Sequence, residues 1–78
     1  MDKLTRIIAE ALRMREDQIT PNIAIHETPT WNSLTHIELI IMIEEAFQVQ
    51  FEEDDIVAMR SVGAIRDILA KRGALQSK

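Results

Sequence analysis

The chain has 78 residues, a formal net charge of −4, two glycines, two prolines and no cysteine. That length suits one domain (1–78), with a core that supplies typically about 3–5 kcal/mol of net stability, and it leaves no room for an enclosed enzyme site. The absent cysteine excludes a disulfide framework and a thiolate metal site, and Met1-Asp2-Lys3-Leu4 lacks the apolar run of a signal peptide or membrane span. A cytoplasmic, non-catalytic protein with no membrane insertion is therefore expected. Ile, Leu, Ala, Glu and Arg dominate while glycine and aromatic residues are scarce, which favours packed helices over a sheet. We expect an all-α fold: a small bundle of three main helices plus a short third helix, with a long loop between helices 1 and 2.

In chain order, Leu4, Ile7, Ile8, Ala11 and Leu12 repeat at the spacing of a helix with one apolar stripe, which predicts a helix over 2–14. Asp2 lies near its positive end, and Arg13 and Arg15 near its negative end. Residues 15–32 have no sustained periodicity and contain Pro21 and Pro29, so they read as a long loop. Its isolated apolar residues, Ile19, Ile23, Ile25 and Trp31, suit a loop packed over the core. Pro29 disfavours helix at Thr28 and predicts an extended approach at Thr30–Asn32.

The next helix is predicted from after Asn32 to about Gln48. At about 100° per residue from Ser33, Leu39, Ile40, Ile43 and Phe47 fall between about 240° and 340° and make one apolar stripe. Leu34, Ile37 and Ile41 fall between about 40° and 100° and make a second, flanked by Glu38, Glu44 and Glu45. One stripe suffices to hold a small domain together. The other, rimmed by carboxylates, has the anatomy of a docking face. A central bundle helix covered on all sides is the bland alternative, and acids that resist burial on the second stripe argue against it. His36, at about 300°, is placed on the core side.

Residues 49–60 read as a loop with a short helix. Val49 and Phe51 anchor it, Glu52 to Asp55 offer caps, and Ile56, Val57 and Met59 are available to cover an apolar site. The last helix is predicted from Ser61 as N-cap to about Arg72, with Val62, Ile65, Ile68 and Leu69 inward and Gly73 as a stop. Residues 74–78 read as a flexible tail.

Charge is unevenly distributed. Residues 32–56 contain seven acids (Glu38, Glu44, Glu45, Glu52, Glu53, Asp54, Asp55) and no Lys or Arg, whereas residues 57–78 contain five basic residues and one acid. Nucleic acid is excluded as a partner of this region, since phosphate contacts need clustered Lys and Arg. A basic protein surface would be attracted to it.

Among the candidate chemistries, His26 and His36 lack metal-ligand spacing. Ser33 with His36 lacks the orienting group and oxyanion hole that a hydrolase needs. A serine at a helix start is ordinarily a cap and nothing more, but Asn32 can serve as the cap here and leave Ser33 for other use. Free backbone N–H groups and the positive helix end would favour a phosphate ester at that hydroxyl.

Trp31-Asn32-Ser33-Leu34-Thr35-His36-Ile37-Glu38-Leu39, followed by Glu44-Glu45-Ala46-Phe47, resembles the phosphopantetheine attachment region of acyl carrier proteins. The likeness extends over essentially the whole chain, including the short acidic third helix and the Ser61-Val62 entry to the last. It implies that a phosphopantetheinyl transferase attaches a 4′-phosphopantetheine arm from coenzyme A to Ser33, and that acyl groups ride on it as thioesters. It also implies docking of acyl-loading and acyl-consuming enzymes, with basic surfaces, on Leu34, Ile37, Glu38, Ile41, Glu44, Glu45, Asp54 and Asp55. The pathway would be fatty-acid, polyketide or related biosynthesis, and a monomer is expected. The family usually has Asp before the serine, where this chain has Asn32, and many members have a further acid where Thr35 stands. An aminoacyl or D-alanyl carrier of the same build, and an unmodified acidic helical adaptor, are the alternatives.

Overall fold

The computed structural model describes residues 3–73; the expected helix start at Asp2 and the tail over 74–78 lie outside the described residues. Four helices follow in order: α1 (Lys3–Leu12), α2 (Ser33–Phe47), α3 (Glu53–Ala58) and α4 (Val62–Lys71), with a 3₁₀ turn at Glu16–Gln18. The fold is all-α, as expected. The one sheet-like feature among the described residues is an isolated antiparallel bridge between Ala24 and Ser61.

The inward stripes meet in one core. Leu4, Ile8 and Leu12 of α1, Leu39 and Ile43 of α2, Ile65 and Leu69 of α4, with Trp31 and Met59, are fully buried. Each such side chain contributes roughly 1.5–3 kcal/mol through removal from water. Lys3 fixes how α1 lies on α2: its Nζ donates to the Ala46 carbonyl at 2.7 Å and sits 5.0 Å from the centre of the Phe47 ring. The start of α1 therefore lies beside the end of α2, and a cation occupies the negative pole of that helix.

α1 ends at Leu12, two residues before the predicted end, and the reason is a C-terminal closure without glycine. Arg13 turns left-handed at φ 58°, and Met14 N–H reaches back to the Ala9 carbonyl at 2.9 Å. α2 closes in the same way, with Gln48 at φ 58° and Val49 N–H on the Glu44 carbonyl at 3.2 Å. A left-handed non-glycine residue costs about 1–2 kcal/mol. The closing bonds, and the packing of Met14 and Val49 against the core, offset that cost.

The long loop does pack over the core: Ile19, Ile23 and Ile25 are half-buried and Trp31 is fully buried. Backbone bonds tie it to the entry of α4. Ile25 N–H donates to Arg60 O (2.9 Å), Val62 N–H to Ile23 O (3.2 Å) and Gly63 N–H to Pro21 O (3.1 Å). Thr30 differs from the expected extended approach. Thr28 to Trp31 form a turn with Pro29 at its second position, closed by Trp31 N–H on Thr28 O at 2.9 Å. Proline's fixed φ suits that turn position, and extended backbone resumes at Asn32, φ −120° and ψ −173°.

Candidate functional site

The start of α2 is assembled from uncharged groups. Asn32 is the N-cap: its Oδ1 accepts from Leu34 N–H and Thr35 N–H, both at 3.0 Å. Thr35 Oγ1 returns the favour by accepting from Asn32 N–H at 2.9 Å, and it donates to the Thr30 carbonyl at 2.8 Å. Asn32 and Thr35 thus form a reciprocal capping box without a carboxylate. Ser33, the first helical residue, is exposed and takes no part in the cap.

Part of the expected anion site is corrected by this geometry. The N–H groups of Leu34 and Thr35 are taken by Asn32, so they are not free to hold a phosphate at Ser33. What favours an anion there is the positive pole of a fifteen-residue helix. An exposed hydroxyl without structural duty at that pole fits a phosphate ester.

Below the serine the helix divides as its angular pattern predicts. Leu34, Ile37 and Ile41 are 69%, 51% and 49% exposed, whereas Leu39 and Ile43 are fully buried. The exposed trio forms a row running away from Ser33, with the exposed Glu38 and Glu45 beside it. Val57 on α3, 64% exposed, joins the exposed apolar residues. With Ile56 and Met59 it also lines a small cavity, in keeping with the expected cover of an apolar site, but a six-residue helix has too few residues for its periodicity to tell which of them stays exposed.

Two of the expected docking acids have structural duties. Glu44 is half-buried, and its Oε2 accepts from Phe51 N–H at 2.9 Å, which ties the α2–α3 loop to the end of α2. Asp55 accepts from Glu52 N–H at 3.0 Å and pairs with Arg72 of α4. The Glu52 backbone bond and the Arg72 guanidinium hold its carboxyl below the ordinary value of 3.8, against the opposing effect of burial. Asp54 and Glu38 remain exposed.

His36 turns inward, as predicted, and links three parts of the molecule. Its Nδ1 accepts from the Trp31 indole N–H at 3.1 Å, and its Nε2 lies 3.0 Å from the Ile56 carbonyl. Since the indole can only donate, Nδ1 carries no proton, and Nε2–H donates to Ile56. The ring is thereby the neutral tautomer, a tie from α2 to the loop and to α3. Among the described residues no group of His, Asp or Glu side chains could hold a metal ion, and no helix is long and apolar enough to cross a membrane.

The site is thus an uncommitted serine at the head of a two-sided helix in a helical bundle, and comparison with known proteins gives the class as a carrier domain. A family model described as "Phosphopantetheine attachment site" matches residues 2–69. Acyl carrier protein from Syntrophobacter fumaroxidans is 36% identical over 72 residues, covering 92% of this chain and 89% of the relative. Acyl carrier protein from Clostridium perfringens is 30% identical over 70 residues (90% and 92%), and that from Buchnera aphidicola 33% over 69 (88% of each). The chain belongs to the acyl carrier protein family. It is a carrier rather than an enzyme, its cofactor is covalently attached 4′-phosphopantetheine, and the domain interacts with a phosphopantetheinyl transferase and biosynthetic enzymes.

Proposed function

We propose that Ser33 bears the 4′-phosphopantetheine arm and that α2 and α3 present it to partner enzymes of fatty-acid, polyketide or related biosynthesis. The arm supplies a terminal thiol on which acyl groups are held as thioesters. The observation that carries the reading is the release of Ser33 from capping by the Asn32–Thr35 pair, directly above an exposed apolar row.

The chain's own residues supply the rest. The positive pole of α2 accommodates the charge of a phosphodiester on Ser33. Leu34, Ile37, Ile41 and Val57 provide the apolar centre of a docking face, and Glu38, Glu45 and Asp54 provide its acidic rim, complementary to a basic enzyme surface. Glu44 and Asp55 contribute to the local negative field while their carboxylates hold the α2–α3 loop and α4 in place. The reading takes the protein to act as a cytoplasmic monomer.

Intact mass after incubation with coenzyme A and a broad-specificity transferase tests the assignment. One phosphopantetheine adduct is expected on the wild type and none on Ser33→Ala. No adduct on the wild type, or one that persists on the variant, overturns it.

A further inference from the structure

Beside the site, between the long loop and α3, lies a cavity of about 220 Å3. Its volume is below the roughly 300–1,000 Å3 of ordinary small-molecule sites, so only a short group enters it. Ile25, Ile56, Val57 and Met59 supply apolar wall, while the remaining lining side chains are His26, His36 and Arg60. Two of these three are free to act. His36 has both ring nitrogens engaged, one by Trp31 and one by Ile56, so it serves as wall. His26 is exposed and starts from a left-handed backbone, φ 70°, with its N–H on the Trp31 carbonyl at 2.8 Å.

Arg60 is the unusual member. The cavity contains no acid, although the adjoining stretch 32–56 has seven. Among the described residues Arg6 pairs with Glu16, Arg15 with Asp17 and Arg72 with Asp55; Arg13 and Arg60 are exposed and have no carboxylate partner, and of these two it is Arg60 that lines the cavity. An unpaired guanidinium at the mouth of a small cavity without acids is matched to a carboxylate or phosphate oxygen pair, which its planar fork binds bidentately.

We propose, resting on the assignment of Ser33, that this cavity receives an anionic oxygen group carried on the arm, with Arg60 as its partner and His26 beside it. Two sources share that chemistry: the far-end carboxylate of a short dicarboxylic acyl group, and the phosphodiester of the arm itself. Arg60 is a specificity-determining residue in this scheme, since a neutral acyl group of equal length offers it nothing.

The test uses ¹⁵N-labelled protein in three forms made with coenzyme A, butyryl-coenzyme A and succinyl-coenzyme A. Intact mass comes first, and a missing adduct overturns the Ser33 assignment together with this inference. With the adduct in place, the Arg60 Nε–H signal and the His26 and Val57 amides are compared with the unmodified protein. Displacement in the succinyl form alone assigns the cargo carboxylate. Displacement of equal size in all three forms assigns the phosphodiester. Absence of displacement at Arg60 in every form overturns the inference while leaving the Ser33 assignment intact. Arg60→Gln removes an exposed side chain and keeps the backbone bonds, so the fold is retained and amide dispersion checks it. In that variant the displacement at His26 and Val57 is lost. For a succinyl-only response, thioester hydrolysis also quickens relative to the butyryl form by up to about fivefold, the scale of an exposed ion pair. Persistence of the His26 and Val57 displacement in Arg60→Gln, or an unchanged hydrolysis ratio for a succinyl-only response, overturns the pairing.

Discussion

The two sides of α2 are made of the same residue types and do opposite work. Leu39, Ile40 and Ile43 on one side are buried against α1 and the rest of the core, while Leu34, Ile37 and Ile41 on the other stand in solvent. Aliphatic side chains do not select their surroundings beyond leaving water. What differs is whether the rest of the chain offers a partner surface, and 78 residues offer one for a single side. An uncovered apolar row of this kind, rimmed by Glu38 and Glu45, is what the proposed docking of another protein rests on.

The sharpest test of that contrast is a pair of matched substitutions. Ile43→Ala is expected to lower stability by about 2–5 kcal/mol, read from the urea midpoint, while Ile41→Ala stays within about 0.5 kcal/mol. Ile41→Asp should in turn leave the melting temperature unmoved and impair acyl transfer by a partner enzyme. A comparable loss of stability in both alanine variants would show that the outer row is packed after all.

A smaller effect probes the polar tie on the buried side. Trp31→Phe keeps a six-membered aromatic ring but loses the pyrrole half of the indole, which leaves His36 Nδ1 without its donor and a gap in the core, and is expected to cost at least about 1–3 kcal/mol in chemical unfolding. A neutral outcome would show that the tie adds nothing to the packing.

At the head of the helix, Asn32→Ala is expected to cost about 0.5–2 kcal/mol through loss of the cap. Ser33→Ala, one residue on, should change stability by less than about 0.5 kcal/mol. Asn32→Asp keeps the oxygen that accepts from Leu34 and Thr35 and adds a charge at the positive pole, for a gain of about 0.3–1 kcal/mol at neutral pH. Equal losses from Asn32→Ala and Ser33→Ala would return the serine to a structural role.

The smallest effect concerns α3. Asp55 has its carboxyl held low by the Glu52 N–H first and by Arg72. The stability it contributes is therefore fully present above its ordinary value of 3.8 and is lost as pH falls below that value through the lowered one. Melting curves of wild type and Asp55→Asn should differ at pH 6 and converge toward pH 2. A constant gap across that range would place the effect elsewhere.

Much of this was legible in the sequence because helical periodicity encodes which side of a helix is apolar. The four helices, the inward turn of His36, the outward row Leu34–Ile37–Ile41 and the caps Asn32 and Ser61 all follow from spacing and residue type. Helix ends were less legible. Arg13 and Gln48 adopt the left-handed conformation that glycine usually marks, so nothing in the residue type announced a stop. The duty of Glu44 and the pairing of Asp55 with Arg72 were hidden for another reason: the partners, Phe51 N–H and Arg72, are 7 and 17 residues away. A carboxylate reads the same in sequence whether or not such a partner reaches it.

The sequence by itself determined the fold class, the serine at the helix head and the acidic character of the region around it, because these rest on local periodicity and composition. Only the tertiary structure decided which acids are free, that Val57 is exposed, and that the loop and α3 bring His26 and Arg60 to one cavity. Those facts depend on residues far apart in the chain meeting across a packed core, and no local pattern carries that information.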